Sequence, residues 1–348
     1  QAMAATLAHR GPDGTNSLTS SGIGLFHCQL IDTPESTFER LPGKTLSGNI
    51  FITWHGRLDS RKELAHKTGW RQPLDQTPDS DLILAAYDTW GEGLVAHIIG
   101  DFAFAIWDES NQKMVCVRDH MGIKPFYYML SEKCFAFASE IKALFALPEC
   151  RRVINEERIA DYLTCIVTDK DSTFYKHIFR LPPGHSLVVD HSHSKLQCYW
   201  QPHPAKIEGK DGRDYQEQFY SIFHNAVKSR LRSKTAVGTF LSGGLDSSSI
   251  ACMAAGPLKQ DLPGELHSFS GIFDTVSECD EREYFHTVLQ RYPIRAHYIH
   301  ADTINPWEAY EEAFQNEDEP FWAPHFFLTR ELLITSQQHG IREMLDGH

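Results

Sequence analysis

The sequence has no long apolar run and no excess of basic residues. None of its 348 residues falls in a stretch approaching the ~18 consecutive apolar residues that a membrane span needs, so we expect no membrane span. Its 33 Lys and Arg stand against 46 Asp and Glu, a formal net charge of −13. Because broad capture of nucleic acid depends on a Lys/Arg-rich surface, we expect small molecules or peptides as partners instead.

Paired cysteines and a targeting segment are also missing. The eight cysteines show no CxxC pair and no zinc-like spacing, and they lie at positions 28, 116, 134, 150, 165, 198, 252 and 279. We expect reduced thiols and a cytoplasmic location. No basic run followed by an apolar core marks a signal sequence. Residue 1 is Gln, and residues 344–348 resemble a strand entering a glycine-containing turn, so we expect both ends to be truncated.

The length predicts two domains. In the first, over residues 1–200, short apolar runs bounded by Gly, Pro, Asn and Asp are typical of strands; they lie at 22–26, 49–54, 101–107, 114–117 and 186–189. Asp79 is predicted to cap a helix over 80–90 that Gly91 ends, with Leu82, Ala85, Ala86 and Thr89 on one face. This domain is therefore predicted to be mixed, with sheet dominant.

A polar stretch over 201–213 marks the predicted boundary with a second domain over 210–348. Helices and strands alternate there, with helices predicted at 215–231, 247–255, 281–291 and 325–339 and strands at 237–241, 266–272, 296–299 and 341–345. Such alternation indicates a parallel sheet wrapped by helices, with ligands at the carboxyl ends of the strands.

One glycine- and serine-rich segment joins a predicted strand to a predicted helix. It reads Ser242-Gly243-Gly244-Leu245-Asp246-Ser247-Ser248. Glycines that permit a tight turn, amide N–H groups and hydroxyls at a helix N-terminus form an anion site, and Asp246 adds a carboxylate suited to Mg²⁺ beside phosphate oxygens. The alternative is a strand-to-helix turn that binds nothing. No Gly-Lys-Ser/Thr follows the glycines, so the segment is not a Walker A loop.

The segment resembles the PP-loop of ATP pyrophosphatases. The resemblance implies that ATP is cut between its α- and β-phosphates, that a carboxylate is adenylated, and that pyrophosphate is released. A mixed anhydride with AMP has a good leaving group, and a phosphate-binding loop with Mg²⁺ stabilises the departing pyrophosphate. We assign this chemistry to Ser242 and Asp246, with residues 240–248 as the nucleotide-binding segment.

Four further segments resemble the class II glutamine amidotransferase domain of asparagine synthetase B. They are 8–14 (AHRGPDG), 100–108 (GDFAFAIWD), 118–128 (RDHMGIKPFYY) and 137–144 (FASEIKAL). Together with the PP-loop, the resemblance covers nearly the whole chain. It implies an α/β and α+β protein of two domains, an N-terminal Ntn-hydrolase-type αββα sandwich and a C-terminal Rossmann-like parallel sheet.

The glutamine site departs from this family. The nucleophile of the family is an N-terminal cysteine, whereas residue 1 here is Gln. Cys28 is predicted to be a buried structural thiol within a strand. Glutamine-using relatives carry Asn-Gly-Glu where this chain has His55-Gly56-Arg57, and arginine puts like charge against the glutamine ammonium. Arg10 and Asp81 remain at glutamine-contacting positions, although Arg10 could equally be structural. We predict an inactive glutaminase.

A second nucleotide loop also differs. Asparagine synthetases usually read Ser-Gly-Glu where this chain has Asp346-Gly347-His348, so a carboxylate is missing and a different acyl substrate is implied. Together with the segments 32–36, 56–61 and 85–92, these differences make the sequence resemble lasso-peptide cyclases more than asparagine synthetases. The resemblance implies that a side-chain carboxyl of a precursor core peptide is adenylated and attacked by the peptide's own N-terminal amine to close a macrolactam.

The same resemblance implies further partners and contacts. A leader peptidase and a leader-binding protein would supply the peptide. The adenine site would be lined by Phe240, Leu241 and Gly271, with Asp346 and Gly347 closing over the nucleotide; the alternative is that these are ordinary strand ends and turns. The acidic residues 317–319 are read as a solvated charge run rather than a magnesium site, and His185, His191 and His193 as exposed turn residues rather than metal ligands.

Several alternatives stay open. A glutamine-hydrolysing asparagine synthetase would carry cysteine at its true N-terminus, and a β-lactam-type synthetase would act on a small amino-diacid. A tRNA-modifying PP-loop protein needs a basic RNA-binding surface, which the charge argues against. A non-catalytic binding protein is the last alternative. The sequence assigns no catalytic base.

Overall fold

The computed structural model describes residues 2–20, 22–45, 47–166, 168–204, 211–321 and 325–347. The chain forms two compact units, one of residues 1–31 and 35–204 and the other of 32–34 and 205–348. Among the described residues, no helix combines the length and apolar character that crossing a membrane requires.

The first unit contains two antiparallel sheets and a two-stranded ribbon. Its strands are β1 (Gly14–Ser20), β2 (Ile23–Gln29), β3 (Gly43–Lys44), β4 (Ile50–Leu58), β5 (Gly100–Asp108), β6 (Lys113–Arg118), β7 (Tyr127–Leu130), β8 (Phe135–Ala138), β9 (Phe179–Arg180), β10 (His185–Val189) and β11 (Ser194–Cys198). Its α-helices are α1 (Ala2–Thr6), α2 (Arg61–Thr68), α3 (Asp79–Trp90), α4 (Ile141–Leu144) and α5 (Glu156–Thr164). The larger sheet has the order β11-β10-β6-β5-β4-β3, the smaller β8-β7-β9, and β1 pairs with β2.

Strand β5 shows how these layers stack. Phe102, Phe104 and Ile106 point into a core shared with α2 and α3, while Ala103 and Ala105 point into a core shared with the ribbon and the smaller sheet. A third core lies between the smaller sheet and helices α1 and α4. Because both faces of β5 are buried, its sequence is a continuous apolar run rather than an alternating one. The predicted αββα sandwich is confirmed.

Helix α3 corrects two details of the prediction. Asp79 is its first residue rather than its cap, and its carboxylate accepts a hydrogen bond from the Leu58 N–H at 2.8 Å and pairs with Arg61. Thr89 is exposed. The carboxylate therefore ties the helix to the end of β4 instead of satisfying the helix's own N–H groups.

Two other expectations in this unit are partly wrong. His185 is not an exposed turn residue: it begins β10, is half-buried, and its Nδ1 lies 2.8 Å from the Pro183 carbonyl oxygen. Cys28 lies within β2 as predicted but is only half-buried, and burial raises the pKa of its thiol.

The second unit is a parallel sheet with helices on both faces. Its strands are β12 (Val237–Phe240), β13 (Leu266–Ile272), β14 (Ile294–His300) and β15 (Glu343–Leu345), in the order β14-β13-β12-β15. Its α-helices are α6 (Gly212–Arg230), α7 (Leu245–Ala255), α8 (Arg282–Arg291), α9 (Pro306–Asn316) and α10 (Phe326–Gln338). Helices α6, α7 and α8 share cores on one face, and α10 packs on the other. The predicted parallel sheet is confirmed.

Helix α9 was not predicted from the sequence. The Asn305 side chain caps it by accepting from the Trp307 N–H at 3.1 Å, and Pro306 occupies its first turn. Asn followed by Pro is a recognised helix-start signal, so the helix could have been predicted.

Candidate active site

The glycine- and serine-rich loop leaves the sheet at a fixed point. The Leu241 N–H donates to the Phe269 carbonyl at 3.1 Å, and the Ser270 hydroxyl donates to the Leu241 carbonyl at 2.6 Å. The Leu241 side chain is fully buried in the core against α7 and α8. Leu241 therefore presents only its backbone to the loop, whereas the sequence placed it in the adenine site.

Position 243 requires glycine. Gly243 has φ +92°, a conformation that side chains disfavour. A Cβ there would lie 2.9 Å from the Tyr284 Cβ and 3.2 Å from the Glu281 carbonyl oxygen. The loop is thus packed against the start of α8, and its tight path depends on the missing side chain.

The serines hold the loop in shape. The Ser242 Oγ accepts from the Gly244 N–H at 3.3 Å and lies 3.1 Å from the Ser247 Oγ, which in turn accepts from the Ser242 N–H at 3.3 Å. Ser248 begins the helical bonding by donating its N–H to the Gly244 carbonyl at 3.1 Å. The preceding N–H groups of Leu245, Asp246 and Ser247 belong to the first turn and have no acceptor within the helix, which is the donor arrangement that an anion needs.

The predicted second nucleotide loop lies beside this helix start. A Cβ at Gly347 would be 3.1 Å from both the Asp246 Cβ and the Ser247 N. Asp346 is exposed next to it, and His348 lies outside the described residues. The structure therefore brings Gly347 and Asp246 together, although they are far apart in the sequence.

Gly271 and Phe240 also have packing roles. A Cβ at Gly271 would lie 2.9 Å from a Leu328 methyl on α10, and Phe240 packs against the core formed by Phe269 and Leu332. The contact between the sheet and α10 thus explains why residue 271 is small and residue 240 is apolar. This agrees with the alternative left open by the sequence, that these residues are ordinary strand ends. Leu245 is 87% exposed at the head of α7.

The glutamine-site remnant lies in the first unit on β4. Burial, together with the charges of Lys124 and Arg10, lowers the pKa of His55 well below its usual value, so the imidazole is neutral. Its Nδ1 is buried and has no hydrogen-bond partner among the described residues. Position 56, between His55 and Arg57, requires glycine because a Cβ there would lie 2.3 Å from the Asp101 carbonyl oxygen.

The two arginines of the remnant are both engaged. Arg57 is 6% exposed, with its Nε 3.6 Å from an Asp59 oxygen. Arg10 donates to Glu140 at 2.7 Å, and this carboxylate also contacts His9 at 2.9 Å. Burial alone would raise the pKa of Glu140, but the hydrogen bonds from Arg10, Lys142 and His9 outweigh it and lower that pKa.

One residue of this region, His27, was not predicted from the sequence, and the role predicted for Asp81 stays a prediction. His27 on β2 shares a face with Leu25 by strand alternation, and burial lowers its pKa to about 4. Asp81 is half-buried, which raises its pKa, whereas the carboxylate bonded to β4 is that of Asp79, two residues earlier. Alternation along β2 could have indicated His27, but no local signal distinguishes the two aspartates.

An amidotransferase-type sandwich joined to a parallel-sheet unit with a PP-loop defines the class of this protein. Residues 1–200 match the glutamine amidotransferase domain family, and residues 218–348 match the asparagine synthase family. The chain belongs to the asparagine synthetase family.

Curated relatives agree with this assignment. The chain is 31% identical over 274 residues to asparagine synthetase [glutamine-hydrolyzing] 3 of Bacillus subtilis, covering 77% of this chain and 44% of that protein. It is 29% identical to asparagine synthetase [glutamine-hydrolyzing] 2 of the same organism, covering 92% and 44%. It is 27% identical to amidase chyE of Penicillium rubens, covering 90% and 48%. The chain spans about half the length of these relatives.

Proposed function

We propose that the protein is an ATP-dependent carbon–nitrogen ligase that adenylates a carboxylate and closes a macrolactam in a lasso-type peptide. The observation that carries the proposal is the loop over 242–248, which opens a helix N-terminus and abuts the segment at Gly347. The carboxylate oxygen attacks the α-phosphorus of ATP and pyrophosphate departs. An amine nitrogen then attacks the acyl carbon, and AMP departs.

Ser242 and Asp246 have separate parts in this proposal. The Ser242 hydroxyl, bonded to Gly244 and Ser247, keeps the free N–H groups of the first turn directed at the pyrophosphate. The Asp246 carboxylate is exposed and makes no hydrogen bond or ion pair with any residue in the described ranges. It fits Mg²⁺, because that ion is commonly held by one or two carboxylates together with substrate phosphates.

A peptide amine as the nucleophile is supported by the glutamine-site remnant. An enzyme that joins two ends of one peptide needs no ammonia, so nothing requires the first unit to keep glutaminase activity. His55 is half-buried there with a neutral imidazole, and Arg57 carries the charge opposite to that of the family's glutamate. The proposal includes a cytoplasmic site of action, a leader peptidase and a leader-binding protein as partners.

The test combines the full chain, ATP, Mg²⁺ and a synthetic linear peptide with a free N-terminal amine and an internal Asp or Glu. We expect AMP, pyrophosphate and a product lighter by one water. The Asp246→Asn variant should lose pyrophosphate release, and Glu265→Gln, an exposed change in the same unit, should not. Asparagine formation from aspartate and ammonia, with no cyclised peptide, would contradict the proposal.

A glutamine-hydrolysing asparagine synthetase is the second candidate. The match of residues 1–200 to the glutamine amidotransferase domain and the names of the B. subtilis relatives favour it. Aspartate, glutamine, water and ATP would then give asparagine, glutamate, AMP and pyrophosphate, and the linear peptide would stay unchanged.

A further inference from the structure

A histidine and an aspartate form a dyad at the carboxyl edge of the parallel sheet. The His300 Nδ1 lies 2.8 Å from the Asp274 Oδ2. His300 is the last residue of β14, and Asp274 follows the end of β13 by two residues. In a parallel sheet this edge is also where β12 leads into the loop at Ser242, and ligands bind there.

The Asp274 carboxylate is held in place before any substrate binds. Its Oδ1 accepts from the Arg282 Nη2 at 2.8 Å, and its own N–H donates to an Asp302 oxygen that also accepts from the Thr275 N–H at 3.0 Å. Hydrogen bonds from Arg282 and His300 lower the pKa of Asp274. The carboxylate is therefore ionised and fixed in orientation.

This carboxylate determines how His300 carries its proton. An ionised carboxylate only accepts hydrogen bonds, so the Nδ1 of neutral His300 must be the donor and the Nε2 must be unprotonated. The side chain is 56% exposed, and Nε2 makes no hydrogen bond to the residues that the structure describes. Nε2 is thus an available proton acceptor, as in other sites where a carboxylate orients a histidine base.

The dyad is connected to the PP-loop. Arg282 opens α8 beside Glu281, and it is fixed by bonds to Asp280 at 2.8 and 2.9 Å and to the Phe273 carbonyl at 2.7 Å. The Glu281 carbonyl is one of the groups packed against Gly243. In the strand register Phe240, the last residue of β12, is level with His297. At about 4.8 Å between strands and about 3.3 Å per residue, His300 lies roughly 14 Å from the end of β12, at the same carboxyl edge of the sheet.

We propose that His300 is the general base of the amide-forming step, oriented by Asp274. The inference rests on the proposed function. As the amine nitrogen bonds to the acyl carbon, its proton passes to the His300 Nε2, the bond from that carbon to the AMP oxygen breaks, and AMP leaves with the electron pair. The charged groups in the network around the dyad are Arg282, Asp280 and Asp302.

The experiment separates the two half-reactions in the His300→Gln variant of the full chain, with the linear peptide described above. Exchange of labelled pyrophosphate into ATP reports adenylation and should stay within about twofold of wild type. Formation of the cyclic amide should fall about 10²–10⁴-fold, the usual contribution of a general base.

A strong nucleophile gives an independent readout. Hydroxylamine should trap the adenylate as a hydroxamate at the same rate in His300→Gln and wild type, because it does not need the base. His286→Gln, an exposed change on α8, is the matched control and should leave both half-reactions unchanged. Asp274→Asn should slow amide formation while preserving exchange.

Two results would overturn the role of His300. One is cyclic amide formed by His300→Gln at the wild-type rate, and the other is an equal loss of exchange and amide formation, which would show that the network only supports the fold. If wild type itself shows no exchange with the peptide, the proposed function fails, and the assignment of His300 fails with it.

Discussion

Gly243 and Tyr284 are packed so closely that a single added methyl group would overlap them: a Cβ at 243 would lie 2.9 Å from the Tyr284 Cβ. The contact presses the phosphate-binding loop against the first turn of α8, which also carries Arg282. The shape of the loop is therefore set by a neighbouring helix as well as by its own glycines.

We expect Gly243→Ala to abolish pyrophosphate exchange and to cost about 1–3 kcal/mol of stability, because φ +92° is strained for alanine and the methyl group meets Tyr284. Gly264→Ala is the control, since the nearest atom to its Cβ is 3.8 Å away. Urea unfolding and exchange assays on both variants measure the two effects. Normal exchange by Gly243→Ala would show that the loop does not hold the nucleotide.

The sequence predicted those strands, helices and loops whose formation depends on neighbouring residues in the chain. The run over 101–107 indicated a strand because both of its faces are buried, and Gly243-Gly244 between an apolar run and a helix indicated the loop. The placement of Asp79 could not be predicted, because its carboxylate is used by Leu58 and Arg61 in a contact that only the folded chain creates. The same holds for the dyad of Asp274 and His300, because Asp274 follows the end of β13 and His300 ends the neighbouring strand β14.

A buried glutamate in the first unit should make stability depend on pH. Glu39 is 5% exposed, and burial raises its pKa to about 7, with the charges of Asp79 and Asp81 adding to the shift and hydrogen bonds from Ser80 opposing it. Because the folded pKa is raised above the unfolded value, stability is lost as pH rises from about 4.5 through 7.

The Glu39→Gln variant should remove this dependence. At pH 8 its urea midpoint should be higher than that of wild type, and its free energy of unfolding should be larger by up to about 3 kcal/mol. Near pH 4.5 the two proteins should be equally stable. Glu132→Gln, an exposed change, serves as the control. A variant less stable than wild type at pH 8 would show that ionised Glu39 is favourably bound.

Glutamine should not be hydrolysed by the wild-type chain. The resemblance to asparagine synthetases implies that His55 and Arg57 stand where glutamine-using relatives polarise the amide and grip the ammonium; in β4 Arg57 is buried and His55 is half-buried with a lowered pKa. Glutamate release should stay at the level of a protein-free blank, with or without ATP and peptide. The B. subtilis relative, assayed in parallel, is the positive control. Sustained glutamate release by the chain would favour the asparagine synthetase alternative.

Three histidines stacked on the parallel sheet should weaken the second unit in acid. The His267 Nδ1 lies 3.0 Å from the His297 Nε2, and the His339 ring centroid is 4.0 Å from that of His297. Burial, then the charges of His339, His267 and Arg295, lower the pKa of His297 to about 4, and burial lowers that of His267; Glu265 opposes both shifts.

A histidine whose folded pKa is lowered takes up its proton more readily when unfolded, so stability is full above pH 6.5 and is lost as pH falls from 6.5 through 4. We expect His297→Gln to reduce the fall in the urea midpoint between pH 7.5 and 4.5, with His286→Gln behaving as wild type. The effect should be modest, because His297 is only half-buried and solvent therefore screens part of the interaction. An unchanged pH dependence in His297→Gln would mean that other groups, not the stacked imidazoles, control acid unfolding of this unit.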